Sequence, residues 1–282
     1  MINIVITILL FNVLIVLFKL FAKLKIDNLQ ALTINYLTVA FFCFLYSDKK
    51  MTLTEIVNEE WFYYSIILGF LFISTFYFFA YSSLKIGVAV TTISNKVSVI
   101  IPVAFALVLY PTSNISIVKF FGFFLAIIGI YFSVFSNNIS IKKKYVWIIL
   151  FIFFVQGILD VIFNHVVQTF LKKLSFYFLT ILFINAFCFG AFFVLMRHFN
   201  NVASIKLNNL LFGIIFALPN LLSIIYFIKA LNELNSAVVY SIVNVGIVVT
   251  TSLIGVLFYN EKLTKTNWLG IIISSLAICL LI

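Results

Sequence analysis

Long apolar runs broken by short polar segments occupy the chain from end to end. A helix needs about 20 apolar residues to cross the hydrocarbon core of a bilayer. Only helices and closed barrels satisfy every backbone group there. A barrel strand alternates apolar and polar side chains, and stretches such as Val146–Val155 do not. The pattern therefore predicts an all-α integral membrane protein of ten transmembrane helices. They fall at Ile4–Phe21, Leu29–Tyr46, Trp61–Leu84, Val88–Tyr110, Val118–Phe135, Tyr145–Val167, Phe176–Met196, Leu210–Ala230, Ala237–Tyr259 and Trp268–Ile282. Charged or turn-forming segments separate most of them, among them Lys23 to Asp27, Asp48 to Glu60, Lys142 to Lys144 and Arg197 to Lys206. Trp61, Tyr63, Tyr110, Tyr145, Trp147, Tyr259 and Trp268 sit at span ends, where amphipathic rings favour the headgroup layer.

A shift of 148 residues, with no gap, lays spans one to five over spans six to ten. Gly122 then falls on Gly270, Ala89 on Ala237, Leu109 on Leu257, Ile130 on Ile278 and Lys25 on Lys173. Identities are few; what carries weight is that five spans and their loops stay in step under one offset. Five is odd, so the second half enters the membrane from the opposite side. The expected organisation is two inverted five-helix repeats, 1–141 and 142–282, an arrangement on which many secondary transporters are built.

Composition agrees. Of 282 residues 65% are hydrophobic and 9% charged, against about 45–50% and 25% in soluble domains. The net charge of +10 resides mainly in short loops between apolar runs, which fits a polytopic membrane protein and not a nucleic-acid binder. Eleven Lys and Arg flank the odd-numbered loops and six the even-numbered ones. Positive charge favours the cytoplasmic side, so this count places the odd loops inside and both termini outside. Cys43, Cys188 and Cys279 lie in apolar runs without metal spacing and read as buried, unreactive thiols. The first apolar run has no basic region before it and no small-residue cleavage site after it, so it reads as a retained signal-anchor. Richness in Ile, Asn, Lys and Phe points to an AT-rich bacterial genome and so to the cell membrane.

Ionisable groups at bilayer depth cost about 2.5–3.5 kcal/mol on insertion scales and usually face the bundle. Lys96 lies in Thr91-Thr-Ile-Ser-Asn-Lys-Val-Ser98, with Asn95 beside it and Pro102 following; under the shift it falls on Asn244. Asp160 lies near the middle of the sixth span and falls on Asn12. Gln156, Asp160, Asn164 and Gln168 advance in steps of four and form a polar stripe. Lipid-directed snorkelling for Lys96 and a helix–helix seam for the stripe are the structural alternatives. His165, one position off the stripe, reads as a structural hydrogen-bonder. Asn220 follows Pro219, whose missing N–H frees a carbonyl nearby. Tyr226, Tyr240 and Asn185 are further candidate cavity liners. No Walker glycine loop, HExxH, G-x-S-x-G or paired carboxylates are present, and two His in the chain make zinc chemistry unexpected. No cofactor is expected.

The sequence resembles the drug/metabolite transporter superfamily in its ten-helix EamA-like branch. The resemblance is carried by Gly87-Val-Ala-Val-Thr91 through Ser98-Val-Ile-Ile-Pro-Val103, by Leu218-Pro-Asn220 through Lys229-Ala-Leu231, and by Ser236-Ala-Val-Val-Tyr240 through Glu261-Lys-Leu-Thr264 and Asn267-Trp-Leu-Gly270. The corresponding first-half turn, Tyr110-Pro-Thr-Ser113, lacks the acidic residue of that pattern. The resemblance implies a cavity lined by spans 1, 3, 4, 6, 8 and 9, alternating access and, often, proton coupling. It also implies cytoplasmic termini, against the loop charges, and we follow the resemblance. Related small multidrug resistance proteins carry an acidic residue in the first helix of their repeat, a position similar to that of Asp160.

The expected function is secondary transport of a small solute, anionic, amphipathic or cationic, by proton coupling or by exchange, by a monomer or a dimer among membrane lipids. Lys96 and Asp160 are expected to face one cavity and to pair when it is empty. The competing classes are a membrane-embedded lipid-modifying enzyme and a structural or sensory subunit.

Overall fold

The computed structural model describes residues 1–47, 52–102, 105, 118, 121–122, 124–125, 128–129, 132, 145–171, 174–234, 236–259 and 263–280. Among them there is helix and no strand. The helices are α1 (Ile2–Lys23), α2 (Asn28–Leu45), α3 (Leu53–Asn58), α4 (Phe62–Lys85), α5 (Val88–Val97), α6 (Val146–Val166), α7 (Phe176–Phe199), α8 (Leu207–Glu233), α9 (Ser236–Tyr259) and α10 (Lys265–Leu280). A π-helical turn, Val167–Leu171, prolongs α6.

Seven of these helices are long and apolar enough to cross a membrane: α1, α2, α4, α6, α7, α8 and the Ile242–Tyr259 part of α9. The chain is thus a multi-pass membrane protein. Ten spans were expected. The fifth, Val118–Phe135, and the far end of the fourth fall largely outside the described residues, and α10 has 16 residues, about 24 Å of helix. The exposed face of α1 shows what surrounds the bundle. Val5, Leu9, Val13, Val16 and Leu20 point outward, while Ile4, Leu14, Ile15, Phe18 and Phe21 are buried. Apolar side chains on the outside as well as the inside are what lipid, and not water, requires.

Local chemistry sets the helix ends. Asp27 caps α2 by accepting from the amides of Leu29 and Gln30. Ser175 caps α7 through the Phe178 amide. The short α3 lies within a stretch expected to be loop; Thr52 and Glu55 start it as a capping box, a T-x-x-E signature visible in the sequence. Between α4 and α5 the chain turns at Gly87, whose φ of 125° suits glycine. Beyond α5 the helix breaks at Ser98–Val99. Pro102 has no N–H to give the Ser98 carbonyl, which accepts instead from Ile101 at 2.9 Å.

The 148-residue offset recurs in the helix bounds. α2 begins at 28 and α7 at 176, α5 begins at 88 and α9 at 236, and α4 ends at 85 while α8 ends at 233. The packing repeats too. α1 packs on α8 as α6 does on α4, α2 on α8 as α7 on α4, and α1 on α9 as α6 on α5. The equivalent helices α2 and α7 run antiparallel. Tyr46, just past the end of α2, meets Phe176 at the start of α7 with ring centroids 5.9 Å apart. At the opposite end Arg197 of α7 forms a two-pronged ion pair with Asp27, at 2.7 and 3.2 Å.

The two ends of the α2–α7 pair are held by different chemistry. Beside the Asp27–Arg197 pair, Gln30 accepts from Asn209 (2.8 Å) and from the Lys206 amide (3.2 Å), and donates to the Ser204 carbonyl. The offset carries Gln30 and Asn209 onto Phe178 and Trp61, which meet edge to face at 5.4 Å at the other end. The thiols only partly match expectation: Cys43 is buried, whereas Cys188 and Cys279 are exposed on the outer surface, where the helices turn away from the core.

Small residues let the central helices approach, since apolar side chains gain nothing over lipid by meeting one another. Ser65 and Gly69 on α4 have as equivalents Gly213 and Ala217 on α8, all buried. Gly69 lies against Asn185 and Ala186 of α7, and Gly213 against the Ala31 carbonyl of α2. A side chain at Gly213 would meet backbone that cannot move aside, and overpacking of this kind costs about 1–3 kcal/mol. We therefore expect Gly213→Leu to lower the thermal transition of the detergent-solubilised protein, while Leu211→Ala, at an exposed neighbour, leaves it in place. Equal transitions for the two variants would contradict this packing.

Candidate functional site: a central cavity between six helices

Helices α1, α4, α5, α6, α8 and α9 enclose a cavity of about 110 Å³. In the count of expected spans these are the first, third, fourth, sixth, eighth and ninth. Its wall repeats with the 148-residue offset. Phe72, Thr75, Phe76 and Phe79 of α4 stand opposite Asn220, Ser223, Ile224 and Phe227 of α8. Phe11 and Ile15 of α1 correspond to Leu159 and Phe163 of α6, and Asn95 and Lys96 of α5 to Val243 and Asn244 of α9. The same geometric positions thus serve twice, with different chemistry in each half.

Lys96 lies at the last turn of α5, just before the break at Ser98–Val99, and is 8% exposed. Its ammonium stands 4.0 Å from the centre of the Phe11 ring, where the negative face of the π system attracts a cation. It takes part in no hydrogen bond or ion pair among the described residues, so its three N–H donors are uncommitted. The expected direct pair with Asp160 is not formed. Asp160 accepts instead from Gln156 Nε2 at 2.8 Å, and Gln156 Oε1 in turn accepts from Asn95 Nδ2 at 2.8 Å. The two charges share one cavity and each has a neutral neighbour: a ring for the cation, an amide for the carboxylate.

Four buried polar atoms on wall residues have no partner among the described residues: Asn95 Oδ1, Asn220 Oδ1, Asn244 Nδ2 and Thr75 Oγ1. Buried polar groups are ordinarily satisfied. Two acceptors, an amide donor and a hydroxyl facing one hollow beside a cation and a carboxylate form a wall able to hydrogen-bond a polar solute. The seven phenylalanines among them would enclose its apolar part.

Of the residues singled out from the sequence, Lys96, Asp160, Asn95, Gln156, Asn220, Tyr240 and Asn244 all lie on this wall. Asn12, Asn164 and Tyr226 do not. Asn12 donates to Thr250 Oγ1 and the Ile8 carbonyl, in the seam between α1 and α9. Tyr226 packs under the Lys229 ammonium at 5.3 Å. Asn164 is half-buried and Gln168 exposed because steps of four on a helix of 3.6 residues per turn drift by about 40° each. The stripe accordingly winds off the cavity after its first two members. His165 is exposed beside Tyr64 and Phe170, and Asn185 donates to Ser65 Oγ between α7 and α4. Phe11, Thr75 and Ser223 were not singled out; the matched hydroxyls of the last two under the 148-residue shift were the available signal.

A wet cavity can be detected by thiol chemistry, since alkylthiosulfonates react with thiolates and thiolates form in water. In a background with Cys43, Cys188 and Cys279 replaced by alanine, Ser223→Cys should label with a charged methanethiosulfonate, whereas a cysteine at the outward-facing Leu218 should not. No labelling at 223 above that of the cysteine-free protein would mean the hollow is dry.

No family model matches the chain. An uncharacterized protein of Haemophilus influenzae is 27% identical over 272 residues, covering 93% of this chain and 91% of the relative. A protein of known crystal structure matches with a TM-score of 0.63 at 11% identity, over 99% of this chain and 94% of its own. At that identity the likeness is one of fold: the helical arrangement described above is shared nearly end to end with a solved protein.

Proposed function

We propose that the chain is a secondary transporter of the drug/metabolite type, moving a small solute across a bacterial cell membrane by alternating access. The observation that carries this reading is the cavity wall. Eight pairs of lining residues are related by one 148-residue offset, and the wall holds a buried cation and a carboxylate at membrane depth. A packing core does not need uncommitted charges, which are costly in lipid.

Two inverted five-helix repeats, ten spans in all, account for the recurring bounds, the matched packing and the antiparallel course of α2 and α7. Such a molecule can exchange the conformations of its halves and so open the same site to either side. Orientation follows the family pattern, with both termini cytoplasmic. The substrate's anionic group meets Lys96, whose donors are free among the described residues, and Asn244 Nδ2 on the same wall; its apolar part lies among the phenylalanine rings. Asp160, which accepts from Gln156 on one oxygen, is the proton-accepting group. Protonation removes a negative charge from the cavity and favours an anion there.

Reconstituted vesicles test this. Screening candidate metabolites for flux should identify a solute carried by the native chain and not by empty vesicles. For that solute Lys96→Ala should lower flux by about tenfold or more, the scale of one charge-assisted contact. Asp160→Asn should abolish the dependence of flux on a pH gradient. Full, gradient-driven transport in both variants would remove these residues from the mechanism.

A further inference from the structure

Two amides and one acid stand in line on α5 and α6, joining a protonatable group to the cavity wall. The chain runs from Asp160 Oδ1 to Gln156 Nε2, then from Gln156 Oε1 to Asn95 Nδ2, each link 2.8 Å. It ends at Asn95 Oδ1, which is buried, lacks a protein partner and belongs to a residue on the cavity wall beside Lys96.

We infer that Gln156 is a positioning residue that converts the protonation state of Asp160 into the polarity of the group Asn95 presents to the cavity. The logic is one of donors and acceptors. An ionised carboxylate only accepts, so Gln156 must turn its NH2 towards Asp160 and its carbonyl towards Asn95. Asn95 must then offer its own NH2 to Gln156 and leave its carbonyl for the cavity. A proton arriving on the oxygen that faces Gln156 reverses each choice. The acid O–H becomes a donor opposed to the Gln156 NH2, and rotation of the amide by half a turn restores a bond, from Asp160 O–H to Gln156 Oε1. Gln156 Nε2 then donates to Asn95 Oδ1, and Asn95 turns its NH2 into the cavity. No atom is gained or lost beyond the one proton on Asp160.

The consequence is a change of ligand preference. With Asp160 ionised, the wall offers a carboxylate and the Asn95 carbonyl, which suit a cationic or N–H-bearing group. With Asp160 protonated, Lys96 Nζ, Asn95 Nδ2 and Asn244 Nδ2 all donate, and the wall suits an anion. Proton and anion therefore bind together, which deepens the transport reading above and rests on it for its purpose. The other charged or titratable groups on the wall are Lys96 from α5 and Tyr240 from α9, whose hydroxyl reaches the Asp160 backbone carbonyl at 3.5 Å; α1, α4 and α8 contribute none.

The relay can be tested without knowing the solute, because the chain contains only three glutamines, Gln30, Gln156 and Gln168. Full-length protein carrying carbon-13 at the glutamine side-chain carbonyl is reconstituted in lipid, and infrared difference spectra are recorded between alkaline and acidic buffer. We expect a protonated-carboxyl band that is lost in Asp160→Asn. With it should come a downward shift of one labelled carbonyl band, as an acid O–H replaces an amide N–H as its donor. That shift should be lost in both Asp160→Asn and Gln156→Met, with Gln30 and Gln168 as internal references. If Gln156→Met does not fold, native protein against Asp160→Asn still decides. An Asp160 carboxyl band with every labelled carbonyl unmoved overturns the inference, since the acid would then point its O–H into the cavity and leave the amides still. So does the absence of any Asp160-dependent carboxyl band. The shift without solute flux in vesicles would count against transport and not the relay; flux without the shift would do the reverse.

Discussion

Hydrocarbon offers a polar group nothing to bond with, and that constraint organises the whole molecule. Backbone groups answer it by forming helices. Side-chain groups answer it by turning inward, and many polar residues in the long helices close onto their own helix backbone or reach a neighbouring helix. Thr33, Thr38, Thr180 and Ser252 take the first course, each donating to the carbonyl four residues earlier. Asn220 on Asn35 and Asn185 on Ser65 take the second. Some polar atoms do neither, Thr92, Ser274 and Ser275 among them, and a group of these borders the cavity. Lys96, Asp160 and the unpaired atoms of Asn95, Asn220, Asn244 and Thr75 all border the central hollow.

Positions related by one 148-residue offset line opposite sides of that hollow, and where they differ its chemistry differs. A wall built twice from equivalent positions needs no separate plan for each side: Phe79 and Phe227 keep the same ring, and Thr75 and Ser223 keep a hydroxyl. The chemical contrast appears where the matched positions differ. Lys96 faces Asn244 as its counterpart, so one half supplies a full charge where the other supplies a neutral donor. Asp160 lies on the wall, while its counterpart Asn12 is drawn into the seam with Thr250. The ends differ in the same way. The ion pair and amide cluster at Asp27, Arg197, Gln30 and Asn209 hold one end, and Trp61 packing on Tyr177 and Phe178 holds the other. Ion pairs of the first kind are screened by salt; ring contacts of the second kind carry no net charge to screen.

The break after α5 links backbone to site. Pro102 disrupts the regular ladder just beyond Lys96, and Ser98 Oγ bonds back to the Asn95 carbonyl. Irregular backbone at membrane depth is tolerated where protein surrounds it or a cavity borders it, and Ser98 is fully buried. The cation is thereby carried on a short helix whose end is fixed by its own side chains.

Hydrophobic run length alone determined that the chain is helical and lives in a membrane, because spanning thickness and backbone satisfaction admit few other solutions. One offset, read from the spacing of spans and loops, anticipated the matched helix bounds. The rarity of charge in apolar runs picked out Lys96 and Asp160. Tertiary structure decided what each charge touches. That Phe11 and not Asp160 receives the Lys96 ammonium follows from how α1 packs on α4 and α9, and no local pattern encodes it. A stripe drawn at steps of four was extended to Asn164 and Gln168, although helical drift carries those residues away; which part of a stripe meets a cavity depends on where the neighbouring helices stand. Sequence sets the cost of burying a group, whereas only the assembled bundle sets the partner that offsets it.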